Sequence, residues 1–406
     1  MSRYALEGIH VLDFAWVGVG PITTKYLADN GADVIRIESA TRPDVLRIAP
    51  PWKDGQPSSI NSSQFFASYN TSKKGITLDL GKAKARELVI EKMIPWADVV
   101  VESFTPRVMR NWGLDYENLR RMKPEILMLS TCLQGQTGPN ALYPGFGQLM
   151  AALCGFYHIS GYSKDEICPP YGAYTDYIAP RFAACAILAA LDYRRRTGNG
   201  QYVDLSQYEA GLHFIAPALT DYFASGRVLG PRGNRSERYA PSGAYRCRDE
   251  DGAERWIAIA CADDREWSAM ARVLGAPAEE RFATMAKRIE MRGELDKLIS
   301  ARVRDWTAGE LTAALQDAGV AAYPVQNCLD LHHDENLAAF DFWRWLDHKE
   351  MGPSPYEGLQ HHLSATPGEL RSPAPILGQD NDEIFGGLFK LSPDEIAQLK
   401  RDEVIL

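Results

Sequence analysis

Asp176 stands in TDYIAPRFAACAILAALDYRRRTGNGQ, at the head of a stretch with a long small-and-apolar middle and an arginine-rich end. The positive end of a helix favours an ionised carboxylate, and a carboxylate fixed against an electrophilic carbonyl gains a large effective concentration as a nucleophile. The same place suits Asp176 or Thr175 as a helix cap, the commoner use of Asp at a helix start. A second candidate is Gly18-Val19-Gly20, which follows one predicted strand, with Glu38 ending the next. That spacing suggests a dinucleotide site. Its third glycine would fall at Thr23, however, and Pro21 occupies the turn where amides should face a pyrophosphate, so a plain tight turn is the better reading. The seven cysteines are scattered without a CxxC pair and read as small apolar fillers. His332-His333 and His361-His362 lack ligand spacing and an acidic partner, so no metal is expected. Lys73 and Lys74 adjoin, a pattern that usually means solvated surface charge.

The elements that must position these groups alternate between strand and helix. Ile9 to Phe14, Val34 to Ile37, Ile76 to Leu80, Ala97 to Glu102, Ile126 to Ser130 and Gln201 to Leu205 read as strands. Thr23 to Asn30, Ala83 to Ile94 and Asp176 to Arg196 read as helices, the last with its proper start near Ala179 and Pro180 in the first turn. Such alternation implies an α/β fold with a Rossmann-like parallel sheet covered on both faces. Composition shifts to Gly, Pro, Ser and Arg from Ser225 to Pro241, a candidate linker. It predicts a large domain over 1–226 and 328–406 with a smaller α+β domain over 227–327, containing one clear strand at Trp256 to Ala260. Pro353 to Gly378 reads as a long irregular crossing, followed by a helix near Pro393 to Arg401.

With 406 residues, 45% hydrophobic and 24% charged, the chain can bury a sizeable core. A net charge of −9 argues against a nucleic-acid surface or an anionic-membrane patch, so a phosphate-bearing ligand must meet a local basic site. No run of about 18 apolar residues occurs, and the protein reads as cytoplasmic.

Several stretches, in order and spacing, carry a likeness over nearly the whole chain: LEGIHVLDF, LADNGADVIRIE, YNTSKKGITLDL, ADVVVESFTPRVMRNWGLDYENL, KPEILMLS, ILAALDYRRRTGNGQYVDLS and PAPILGQDNDEI. The sequence resembles the family III CoA transferases of the CaiB/BaiF type, which include formyl-CoA transferase and the related α-methylacyl-CoA racemases. The resemblance implies two interlocked subunits, identical or paralogous, and coenzyme A as co-substrate with no permanently bound cofactor. It makes Asp176 the nucleophile, carrying an aspartyl-CoA thioester. It draws the CoA site from Gly18, Val19, Asn70, Thr71, Ser72, Lys73, Ser103, Phe104, Arg110 or its neighbour Asn111, and the turn with Gln134 and Gly135.

Three departures qualify the likeness. Ser103 replaces the family's usual Asn, and no glycine run exists near Ser236 to Tyr239, so the loop gating of formyl-CoA transferase does not carry over. In YPGFGQLM, Phe146 stands where the racemases have a proton-transferring histidine, which makes racemization the weaker alternative. A non-catalytic partner subunit would be expected to lack Asp176, which is present. Arg232, Arg235 and Arg238 in PRGNRSERYAP suit a second substrate carboxylate, if solvation does not claim them. They point to succinyl-CoA or another dicarboxylic acyl-CoA as donor, and the chain is similar to transferases of aromatic-compound breakdown that pass CoA to a substituted succinate such as benzylsuccinate.

Overall fold

Short apolar runs flanked by turn residues form six parallel strands: β1 (His10–Asp13), β2 (Asp33–Glu38), β3 (Lys74–Thr77), β4 (Val99–Glu102), β5 (Leu127–Cys132) and β6 (Tyr202–Ser206). The computed structural model describes residues 3–163 and 165–406. The strands pair in the order β3-β2-β1-β4-β5-β6. Strands buried on both faces need apolar residues at successive positions, and Val99, Val100 and Val101 are all fully buried. On one face Val11, Val34, Val101 and Leu129 pack with Leu27, Ala183, Ile187 and Ala190. These belong to α1 (Val19–Asp29) and α3 (Tyr174–Thr197), whose small residues allow close approach to the sheet. On the other face Leu12, Ile35, Val100 and Met128 meet Leu88, Met93 and the C-terminal Ile384, Phe385 and Leu399.

The chain divides into two compact units: Met1–Tyr157, Pro169–Leu229 and Ala338–Leu406 form the first, and His158–Cys168 and Gly230–Leu337 the second. The first also holds α2 (Gly147–Leu153), α4 (Gln207–Phe214) and α5 (Ala216–Ser225). Within the second unit, β7 (Ser242–Arg246), β8 (Trp256–Ala260) and β9 (Ala321–Pro324) make an antiparallel sheet with β8 central. Its core joins Ile257 and Ile259 to α6 (Asp264–Val273), α7 (Arg292–Val303) and α8 (Ala308–Asp317) through Met270, Leu295, Ile299 and Leu311.

Several elements differ from the sequence reading. The region expected to be irregular begins with a strand, β11 (Gly352–Glu357), paired to β10 (Trp343–His348). Pro353 and Pro355 conceal it from a propensity argument, because proline is tolerated where a strand needs no amide. β3 ends at Thr77 rather than Leu80. Cys168, Cys185 and Cys328 are exposed, so only Cys154, Cys247 and Cys261 are buried fillers. Among the described residues no helix is long and apolar enough to cross a membrane.

Candidate active site

The sheet order reverses between β1 and β4, where neighbouring strands send their chains to opposite faces and leave a crevice at their carboxyl ends. Trp16, Val17 and Gly18 follow β1, Ser103 and Phe104 follow β4, Cys132 ends β5 and Leu133 follows it; all line one cavity of about 280 Å³. Gln207, opening α4 directly after β6, and Asp176 complete it.

Asp176 lies in the first turn of α3, which starts at Tyr174, five residues before the expected Ala179. Pro180 is therefore inside the helix and has no amide hydrogen for the Asp176 carbonyl four residues back. Gln207 Nε2 donates to Asp176 Oδ1 and, at 3.0 Å, to Thr175 Oγ1. Thr175 Oγ1 in turn donates to the Gly147 carbonyl at 3.0 Å, tying α2, α3 and α4 together behind the carboxylate. Two glycines give the carboxylate its space. A methyl group on Gly147 would stand 2.6 Å from Asp176 Cγ, and one on Gly18 would stand 3.1 Å from Oδ2.

Burial pushes the Asp176 carboxyl up to about 6, with the Gln207 hydrogen bond working the other way. The sequence reading had the helix end favouring the ionised form; desolvation outweighs that effect, although the carboxylate still predominates at neutral pH. Asp176 also lines a second cavity, of about 550 Å³, bounded by Val45, Pro50, Phe65, Tyr69 and Tyr177. A third, of about 790 Å³, shares Trp16 and Phe104 with the first and carries Arg42, Lys82 and Asn111.

The sequence profile of CoA-transferase family III matches residues 6–381. The chain belongs to the family III CoA-transferases. A CoA-transferase is thus the enzyme class, and relatives are named for succinyl-CoA chemistry. The chain is 31% identical to a succinyl-CoA–D-citramalate CoA-transferase of Chloroflexus aurantiacus, over 98% of both chains. It is 27% identical to the beta subunit of a succinyl-CoA–L-malate CoA-transferase from the same organism, again over 98% of each. The crystal structure of a CaiB/BaiF family protein from Brucella suis, 28% identical, superposes with a TM-score of 0.86 over 95% of this chain and all of that one.

In this CoA-transferase, Gly18, Val19, Ser103, Phe104 and Asp176 come together in one cavity. Ser103 does not offer its side chain to a ligand: its Oγ accepts from the Trp16 amide at 2.7 Å and donates to the Trp16 carbonyl at 3.2 Å, pinning the turn after β1. The segment Asn70 to Lys73 departs from the expectation. These side chains are buried and committed to the interior: Lys73 Nζ bonds Asp13, the Pro21 carbonyl and Asn70 at 2.8–2.9 Å, while Thr71 and Ser72 bond Asp29. The reason is charge balance, since a carboxylate buried under the sheet needs a cation beside it. Arg110 is exposed on its short helix, and Asn111 is the neighbour that lines a cavity. Gln134 and Gly135 turn their amides to Cys132, and Leu133 and Cys132 line the cavity in their place. Arg232, Arg235 and Arg238 lie in the second unit, Arg232 paired with Glu237 at 2.8 Å.

Sequence reasoning missed Gln207 and Gly147, the two residues that meet the Asp176 carboxylate. Gln207 had a signal: Ser206 caps a helix directly after β6, which puts the next side chain at a strand's carboxyl end, where α/β sheets bind ligands. Because its hydrogen bond favours the charged form, Gln207→Leu is expected to raise the Asp176 pKa. The acid limb of the pH–rate profile then moves to higher pH and the rate near pH 7 falls roughly tenfold, the worth of one hydrogen bond to a charged group. An unmoved acid limb would refute this role.

Proposed function

We propose that the chain moves CoA between carboxylic acids in two halves, with Asp176 as the covalent carrier and succinyl-CoA or a similar dicarboxylic acyl-CoA as donor. The Asp176 carboxylate attacks the thioester carbonyl and the C–S bond breaks, giving a mixed anhydride and CoA thiolate. The thiolate returns to the aspartyl carbonyl, making an aspartyl-CoA thioester and freeing the donor acid. The acceptor carboxylate repeats these steps in reverse, which regenerates Asp176. The observation that carries this reading is a buried carboxylate standing between two cavities, with glycines at 18 and 147 leaving both its oxygens room.

On the CoA side, Arg42 brings a cation suited to a phosphate to the cavity beyond Trp16 and Phe104, whose rings flank the path to Asp176; Lys82 is held by Glu403 and the Asp402 carbonyl, and Glu38 and Asp79 line the same cavity. Phe146 borders Asp176 and cannot carry a proton, which favours transfer over racemization. Burial limits water, so the thioester is kept for the acceptor rather than hydrolysed. A second, related subunit is part of the proposal. In α5, no residue is buried, and Leu219, Tyr222 and Phe223 are exposed, a face suited to a partner chain. A relative is itself a beta subunit. Light scattering of the purified chain that returned only monomer, with a related chain added or not, would sink the subunit part.

The covalent part is tested by incubation with succinyl-CoA and hydroxylamine, followed by peptide mass spectrometry. An aspartyl hydroxamate at position 176 is expected. Its absence with several acyl-CoA donors and folded protein would overturn the reading.

A further inference from the structure

Asp176 also lines a cavity of about 550 Å³ whose walls are largely apolar. Its walls are Val45, Leu46 and Pro50 on one side and the rings of Phe65, Tyr69 and Tyr177 on another. The rings interlock edge to face, Phe65 on Tyr69 at 5.2 Å and 72°, Tyr69 on Tyr177 at 6.2 Å and 80°. Such contacts make a stiff aromatic wall, and an aryl ligand extends the same packing. The Tyr69 hydroxyl donates to that of Tyr177 at 2.5 Å, which consumes one donor and locks both rings. Burial, followed by that hydrogen bond, holds the Tyr69 phenol well above its ordinary range, so the wall stays neutral.

Among the described residues, no Lys, Arg or His lines this cavity. A second carboxylate carried deep into it would lose its water without gaining a counter-ion, which is costly. The cavity opens to solvent along Val45, Phe146, Tyr171 and Tyr177, all exposed, so a short donor chain can keep its far carboxylate in water while a bulky apolar body covers these side chains and removes them from water.

We propose that this cavity is the acid subsite and that the acceptor is a carboxylic acid with an apolar or aryl body, its reacting carboxylate at Asp176 and its ring against Phe65, Tyr69 and Tyr177. The proposal rests on the Asp176 carrier reading and adds the acceptor's class to it. A single methylene in a matching apolar pocket discriminates roughly 10- to 200-fold, so a phenyl group should be worth at least tenfold.

The test uses the full chain charged with succinyl-CoA, charging being verified by the Asp176 hydroxamate. CoA transfer to 3-phenylpropionate is then compared with transfer to malate. The expected result is a kcat/KM at least tenfold higher for the aryl acid. In Ala49→Trp, which fills the cavity, the aryl-to-malate ratio should collapse tenfold or more. Malate matching or exceeding the aryl acid, or a ratio indifferent to Ala49→Trp, would overturn the proposal. Calorimetric binding of 3-phenylpropionate to the uncharged protein keeps the two readings apart. Binding that Ala49→Trp weakens tenfold supports the subsite even where Asp176 never charges, and no binding in either protein removes it.

Discussion

Asp176→Asn is expected to lower CoA transfer by roughly 10⁴-fold or more, the scale seen when a covalent nucleophile is removed. The amide has the carboxylate's shape and can still accept from Gln207, so the pocket keeps its geometry and loses only the attacking oxygen. Stability should move the other way. Burial raises the folded-state pKa of Asp176 to about 6, above its ordinary 3.8. The ionised form therefore destabilises the fold, increasingly as pH rises from the lower value through the upper. At pH 7 the cost is on the order of 3 kcal/mol, and a neutral Asn removes it. The substituted protein should melt at the same temperature as the parent or higher, and give no hydroxamate after succinyl-CoA and hydroxylamine. More than about one part in a hundred of parental activity would rule out covalent carriage by Asp176, since loss of a nucleophile that carries the reaction costs far more than that.

The second large effect lies under the sheet. Lys73→Met is expected to destabilise the first unit by about 3–5 kcal/mol, the usual result of stripping one partner from a buried ion pair. Burial pushes the Asp13 carboxyl up, but Lys73 and Arg36 outweigh it and hold it ionised below the ordinary range. Lys73 lies 2.9 Å from Asp13 Oδ2 and Arg36 3.4 Å, so loss of Lys73 removes the nearer cation. The same Arg36 pairs with Asp44, whose carboxylate accepts from the Val17 amide at 3.0 Å. Val17 holds a left-handed φ of 65° at the turn that faces Asp176. A β-branched residue resists that conformation, so the charge network also steadies a strained part of the site. Thermal unfolding should drop by roughly 10 °C for Lys73→Met. Lys84→Met, which removes a cation from an exposed pair with Glu87, should cost less than about 1 kcal/mol. Equal melting of the two variants would show that Lys73 is not structural.

The sequence by itself determined the elements whose signals are local. Ser392, Pro393 and Glu395 form a capping box with proline at the first helical position, and the helix runs over Pro393–Arg401 as read. The valine run of β4 and the small-residue middle of α3 announced a parallel sheet with a helix packed close upon it. The family was legible for the same reason: its stretches are contiguous, so order and spacing survive without knowledge of the fold. What only the tertiary structure decided depends on groups distant in the chain. Lys73 reads as one of two surface lysines until Asp13, sixty residues away, needs a counter-charge. Gln207 and Gly147 meet Asp176 because β6 and β5 are neighbours and α2 packs on α3, facts of topology that no window of sequence contains. Desolvation of Asp176 is likewise a property of everything packed around it. For that reason a helix-end argument could place the carboxylate but misjudged which way its proton affinity moves.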